Sequence, residues 1–268
     1  MMYRLLYGLA RIRFTVGYLA VLVSVSVAIL LLGPEAHERV VHNASTNLHN
    51  LTHGHLATLW NSAFVIDKGP LLFWLPGLAC LLTLAELQLR SLRLTVAFIV
   101  GHIGATLLVA AVLLAAVQFG WLSGSITRAS DVGMSYGALA ALGALTAAIP
   151  RRARPAWIGW WLALALTTAV VGGDFTDAGH AVSLSLGMAL AVRFARPIRW
   201  TPMRYMLLVA SSGFGFVLMA HTGWTLASGV VVGAMGAMAG QILAVRGRPR
   251  SLRSPGRPLS VHRTVPGL

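Results

Sequence analysis

The sequence predicts an all-α, polytopic membrane helix bundle. Three observations carry this: apolar runs long enough to cross a bilayer recur along the whole chain, only 10% of residues are charged, and the arginines fall in short clusters between the runs. A water-exposed domain usually carries about a quarter charged residues, whereas about 20 apolar residues span the hydrocarbon core. The mean hydropathy of +0.75 over 268 residues agrees.

Eight spans are expected, over residues 14–33, 71–88, 94–118, 134–149, 156–172, 178–194, 205–220 and 224–244. The first is too long for a secretory signal and no small-residue cleavage site follows it, so it reads as a retained span. The one long connection, 34–70, contains the amphipathic stretch "HLATLWNSAFVI", expected to lie in the outer interface. The fourth to sixth spans are short for full crossings, as spans beside a water-filled cavity often are. The eighth reads "GVVVGAMGAMAG", with Gly229, Gly233, Gly236 and Gly240 at small-xxx-small spacing. That is a helix-packing face; no strand precedes it, so it is not a phosphate loop. Cys80, the single cysteine, lies inside an apolar run and reads as a small buried hydrophobe.

A net charge of +14 invites a nucleic-acid reading, but the placement of the charge argues for membrane topology. Arg4, Arg11 and Arg13 precede the first span; Arg90 and Arg93, then Arg151, Arg152 and Arg154, then Arg196, Arg199 and Arg204 occupy alternate connections; Arg246, Arg248, Arg250, Arg253, Arg257 and Arg263 lie in the tail. The intervening connections hold Glu35, Glu38, Asp67, Asp131, Asp174 and Asp177, with only Arg39, Lys68 and Arg128 as cations. By the positive-inside rule both termini are cytoplasmic. The tail from Arg246 onward, rich in Arg, Pro, Gly and Ser, is expected to be disordered and to lie along anionic headgroups. Twenty arginines against one lysine, with abundant Ala and Gly, suggest a GC-rich bacterial genome and hence a bacterial plasma membrane.

"DVGMSYG", residues 131–137, carries Gly133-Met134-Ser135-Tyr136-Gly137, a G-x-S-x-G spacing. The nucleophile elbow of that pattern needs a preceding strand, and here a polar loop precedes and an Ala-rich helix follows. Ser135 instead falls at the outer start of the fourth span, where a helix has unpaired N–H groups and the positive end of its dipole. It is either a nucleophile or a small polar residue among packing glycines. A nucleophile needs a base, and His180 lies one turn inside the outer end of the sixth span. Spans four and six run the same way, which places Ser135 and His180 at similar depth. Gly137, Ala141 and Ala144 on one helix and Ser183 and Gly187 on the other permit close approach. For His180 the alternative is a structural histidine bonded to a neighbouring helix or to water.

These residues carry a family resemblance. The chain resembles the rhomboid intramembrane serine proteases, which have a six-span core, a G-x-S-G motif at the outer start of span four and a catalytic histidine in span six followed by glycines. Gly133-Met134-Ser135 matches, with Tyr136 in place of the next glycine and Gly137 after it; "GHAVSLSLG" matches at His180 and Gly187. "NSAFV" (61–65) resembles the family's Thr-Ser-Ala-Phe stretch, and Glu86 with "LQLRSLR" its acidic-then-Gly-Ser turn after span two. The family's His-x-x-x-Asn of span two, which helps bind the oxyanion, and its Trp-Arg pair are absent; "PLLFWLPGL" stands in the first place. The resemblance implies a cytoplasmic N-terminus over residues 1–13, a rhomboid-like core over 14–196, two additional spans within 197–245 and the tail 246–268.

It also implies an intramembrane serine peptidase acting on transmembrane protein clients through a Ser135–His180 dyad, without metal or cofactor. Gly133, Met134, Tyr136, Gly137, Asn61, Asp177 and Gly187 would support the site. Asn61 or backbone N–H groups would replace the missing oxyanion donors, and Asp177, three residues before His180, would orient the imidazole or simply cap the helix. The alternative is a non-catalytic rhomboid-fold protein that binds or chaperones membrane clients. A small-molecule transporter is disfavoured by the scarcity of charges within the spans. His102 in span three reads as bonded to a neighbouring helix, well to the cytoplasmic side of Ser135. His42, His49, His53 and His55 read as a solvated loop and not a zinc site.

Overall fold

The computed structural model describes residues 7–66, 71–194 and 200–246. The proposed tail beyond Arg246, and the charges Arg4, Asp67, Lys68, Arg196 and Arg199, lie outside the described residues. The helices are α1 (Arg13–Leu32), α2 (Pro34–Ala44), α3 (Leu48–Thr52), α4 (Thr58–Asn61), α5 (Leu71–Leu89), α6 (Ser91–Gln118), α7 (Ser135–Ala144), α8 (Arg154–Val171), α9 (Phe175–Phe194), α10 (Pro202–Met219) and α11 (Gly223–Arg246). The protein is a polytopic all-α bundle, with a helix at each of the eight expected spans. Six of these, α1, α5, α6, α9, α10 and α11, are long and apolar enough to cross a membrane.

The short helix α7, with the 3-10 turn Leu145–Ala147 that continues it, is the centre. Its sequence is apolar on every side, the pattern of a core helix, and every residue from Tyr136 to Ala144 is buried. It packs against α6, α9, α5 and α10. Between membrane helices the driving force is close van der Waals contact, which small residues permit. A Cβ on Gly143 would collide with the Leu184 carbonyl of α9, and one on Gly187 with the Ala140 carbonyl of α7. Gly137, expected to face the sixth span, instead lies against the Phe98 ring of α6. Ala140 and Gly143, one and two turns further on, carry the α7–α9 contact.

The two C-terminal spans pack on the flanks. α11 lies along α8, where Gly236 and Gly159 face each other backbone to backbone and Gly240 meets the Pro155 carbonyl. The small-residue stripe of the eighth span is therefore a packing face. α10 lies along α5, with Phe214 filling the space left by Gly77.

One end of the bundle gathers the arginine-bearing connections. There the buried Glu86 of α5 reaches the start of α1 and accepts from the backbone N–H of Phe14 (2.9 Å) and Thr15 (2.8 Å), from Thr15 Oγ1 (2.7 Å) and from Ser91 Oγ (2.6 Å). It caps two of the unpaired first-turn donors of α1 and ties three helices with one carboxyl. Arg90, between α5 and α6, has φ +73 and ψ 157, a conformation that glycine adopts most readily.

At the opposite, acidic end lies the long first connection. It breaks into α2, α3, α4 and the 3-10 turn Ser62–Phe64. Leu56 and Trp60 are exposed, while Ser62, Ala63 and Val65 are buried in the bundle.

Candidate functional site

The loop before α7 is held by hydrogen bonds to that first connection. Gly133 N–H donates to the Ser62 carbonyl (2.9 Å), Thr46 N–H to the Asp131 carbonyl (2.9 Å) and Asp131 N–H to Ser45 Oγ (2.9 Å). Gly133 has φ +133, where a side chain would be strained. This turn delivers Met134, which is buried as the N-cap, and Ser135, which is half-buried as the first residue of α7. Desolvation pushes the Asp131 carboxyl up to about 7, and the nearby Asp174 acts in the same direction.

Helix α9 begins at Phe175, which brings Asp177 into its first turn and His180 one turn further in. Both are buried, at 1% and 6% exposure. The imidazole makes no hydrogen bond through either ring nitrogen, and neither Asp177 oxygen has a hydrogen-bond partner. His180 Nδ1 stands 3.9 Å from Asp177 Oδ1. The group against the His180 ring is Tyr136, edge-on at 5.6 Å between centroids. Ser183 donates to the Tyr136 carbonyl one turn below. The structure thus brings the helix opened by Ser135 against the helix that carries His180, with Tyr136 between the backbones and no Ser135–His180 hydrogen bond.

His102 of α6 is not remote from this cluster. Its ring lies 6.5 Å from that of Tyr136, on α7, and its Nε2 is 3.1 Å from Ser62 Oγ. Thr46 Oγ1 in turn donates to Ser62 Oγ (2.8 Å). The expected bond to a neighbouring helix is thus made to the 3-10 turn Ser62–Phe64 of the first connection, which dips into the bundle.

A family model described as "Rhomboid-like protein" matches residues 11–210. The chain belongs to the rhomboid-like family. Neither a curated protein nor a solved structure matches it.

The family match takes in Ser135, Tyr136, Asp177, His180 and the Glu86 tie, and ends within α10. One polar residue of this rhomboid-like protein that sequence reasoning passed over lies beyond it. His221, in the turn between α10 and α11, places Nδ1 3.8 Å from Asp177 Oδ1. The signal available was topological: helix alternation puts residues 220–222 at the same end as Asp131 and Asp177.

Of the other candidates, Gly187 packs against Ala140 and Gly137 against Phe98. Asn61 is exposed at the end of α4, one residue before Ser62. His49 and His53 pack ring to ring at 4.2 Å on α3 and its C-cap. Among the described residues no group of three or more His, Cys, Asp or Glu is arranged to hold a metal ion.

Proposed function

We propose that this rhomboid-like protein is an intramembrane serine peptidase that uses Ser135 and His180 on transmembrane protein clients. The observation that supports the reading is the unbonded, buried His180 beside Asp177, on the helix packed against the one that Ser135 opens. A buried imidazole kept only for structure is normally hydrogen-bonded, and an ionisable group inside a span without a structural partner points to function. In this reading His180 takes the proton of Ser135 Oγ as that oxygen attacks a peptide carbonyl of the client. The carbonyl oxygen becomes an oxyanion facing the first-turn N–H groups of α7, which have no intrahelical partner. These donors take the part of the absent span-two pair. His180 returns the proton to the leaving amine, and water then hydrolyses the acyl-enzyme. Clients must unwind before their carbonyls are reachable, so small or helix-breaking residues at the cut favour cleavage. Both termini face the cytoplasm, with cleavage near the outer face.

A second reading, that of a rhomboid-fold protein which holds membrane clients without cutting them, is favoured by one observation. Tyr136 lies edge-on against the His180 ring, and Ser135 makes no hydrogen bond to it. In that case Ser135 serves only the start of α7.

Labelling of the full-length protein in liposomes with a fluorophosphonate or isocoumarin probe separates the two. The peptidase reading requires labelling that is lost in Ser135→Ala and in His180→Ala. It also requires loss of client cleavage in both, with the double variant no worse than either, because the pair acts as one unit. Labelling or cleavage that persists in Ser135→Ala removes the proposed nucleophile. A folded wild type that takes no probe and cuts no client favours the holding role.

A further inference from the structure

The two C-terminal spans reach the His180 cluster through one residue. α10 ends at Met219 and α11 begins at Gly223, and the short turn between them is rigidly set. Met219 and Ala220 are fully buried. Thr222 and Thr225 cap the start of α11 reciprocally: Thr222 N–H donates to Thr225 Oγ1 (3.0 Å) and Thr225 N–H to Thr222 Oγ1 (3.2 Å). Between these fixed points stands His221, about half exposed.

The same carboxylate oxygen, Asp177 Oδ1, lies 3.8 Å from His221 Nδ1 and 3.9 Å from His180 Nδ1. One buried carboxyl therefore faces two imidazoles from different helices, one sealed in the bundle and one open to water. We propose that His221 is a positioning residue for His180: the two imidazoles share Asp177, and the exposed one sets how much of the carboxylate's charge the buried one receives. The proposal rests on the peptidase reading for its consequence in catalysis, but the coupling itself is a property of the cluster.

Among the described residues, several charged and titratable groups face the cluster, and one is His102 of α6, whose ring lies 6.5 Å from that of Tyr136. Asp174 stands in the turn before α9 and Asp177 on α9; Tyr136 comes from α7, Asp131 from the loop before it and His221 from the turn between α10 and α11. Of these, His221 is the imidazole open to solvent. When His221 is protonated, its positive charge engages Asp177 and opposes a second charge on His180. When it is neutral, the carboxylate is left to stabilise the His180 imidazolium that forms as Ser135 gives up its proton.

The test is an NMR titration of the histidines in the full-length, isotope-labelled protein in nanodiscs, alongside the pH profile of fluorophosphonate labelling. His221→Gln is expected to raise the His180 midpoint by about 0.5–1 pH unit. His221→Lys, which stays charged, is expected to hold that midpoint at or below the wild-type value. Asp177→Asn is expected to lower the His221 midpoint. In the labelling profile, His221→Gln moves the acid limb upward and leaves the alkaline plateau unchanged; loss of packing alone would lower the plateau instead. A His180 midpoint that does not respond to His221→Gln, or a His221 midpoint indifferent to Asp177→Asn, overturns the proposal. If the wild type takes no probe at any pH, the peptidase reading fails, and the NMR titration still decides the coupling.

Discussion

Gly133 donates its backbone N–H to the Ser62 carbonyl at 2.9 Å, and the Ser62 hydroxyl lies 3.1 Å from His102 Nε2. The loop that sets Ser135 is thus fastened, through one serine, to the middle of α6. Ser62 is also bonded by Thr46 and is only 1% exposed. Ser62→Ala removes one hydrogen bond from His102 and one from Thr46, whose hydroxyl keeps the Thr58 carbonyl; two such bonds are worth about 1–3 kcal/mol together. The expected result is a lower melting temperature together with faster hydrogen exchange across residues 129–138. Unchanged exchange there means that the loop is held without His102.

Glu86, only 1% exposed, serves four donors from α1 and α6. Glu86→Ala is expected to destabilise the protein by about 3 kcal/mol or more, because several buried donors are orphaned together. Glu86→Gln keeps one acceptor oxygen and is expected to lose less. Melting measurements on both variants in one detergent give the order, and equal melting points would remove the capping role.

Gly187 has the Ala140 backbone where a Cβ would stand, whereas Gly213 on α10 has open space. Gly187→Ala must push α7 and α9 apart and is expected to cost about 1–3 kcal/mol, the usual range for overpacking. Gly213→Ala gains helix propensity and is expected to be neutral or to stabilise by up to about 1 kcal/mol. Melting curves of the pair test whether the α7–α9 contact, and not glycine content, governs stability.

Asp131, in the loop before α7, has its carboxyl raised to about 7 by desolvation. The folded state therefore binds a proton that the unfolded state has released above about pH 4. Stability from this group is greatest at acid pH and is lost as pH rises towards 7 and beyond. Asp131→Asn removes the dependence, so its melting point is expected to gain on the wild type between about pH 4 and pH 7. A constant difference across that window would contradict the raised carboxyl.

Composition and run length alone determined the class: apolar stretches with few charges have no stable place but a membrane, and inside it a chain must satisfy its own backbone as helix. They also determined which residues share a depth. The rise per residue of a helix is fixed, so counting from helix ends put Ser135, His180 and Asp177 at one end and Glu86 at the other. The small-residue stripe of the eighth span was readable for a similar reason, since only close backbone approach requires Gly at every turn. What the pattern could not decide was direction around the helix axis. α7 is apolar on all sides, so nothing in its sequence says which face meets which neighbour. Tertiary packing alone turned Gly137 towards Phe98, set Tyr136 between His102 and His180, lowered the first connection onto His102 and carried His221 to Asp177. Those choices depend on side-chain fit summed over several helices at once, and that sum exists only once the bundle is assembled.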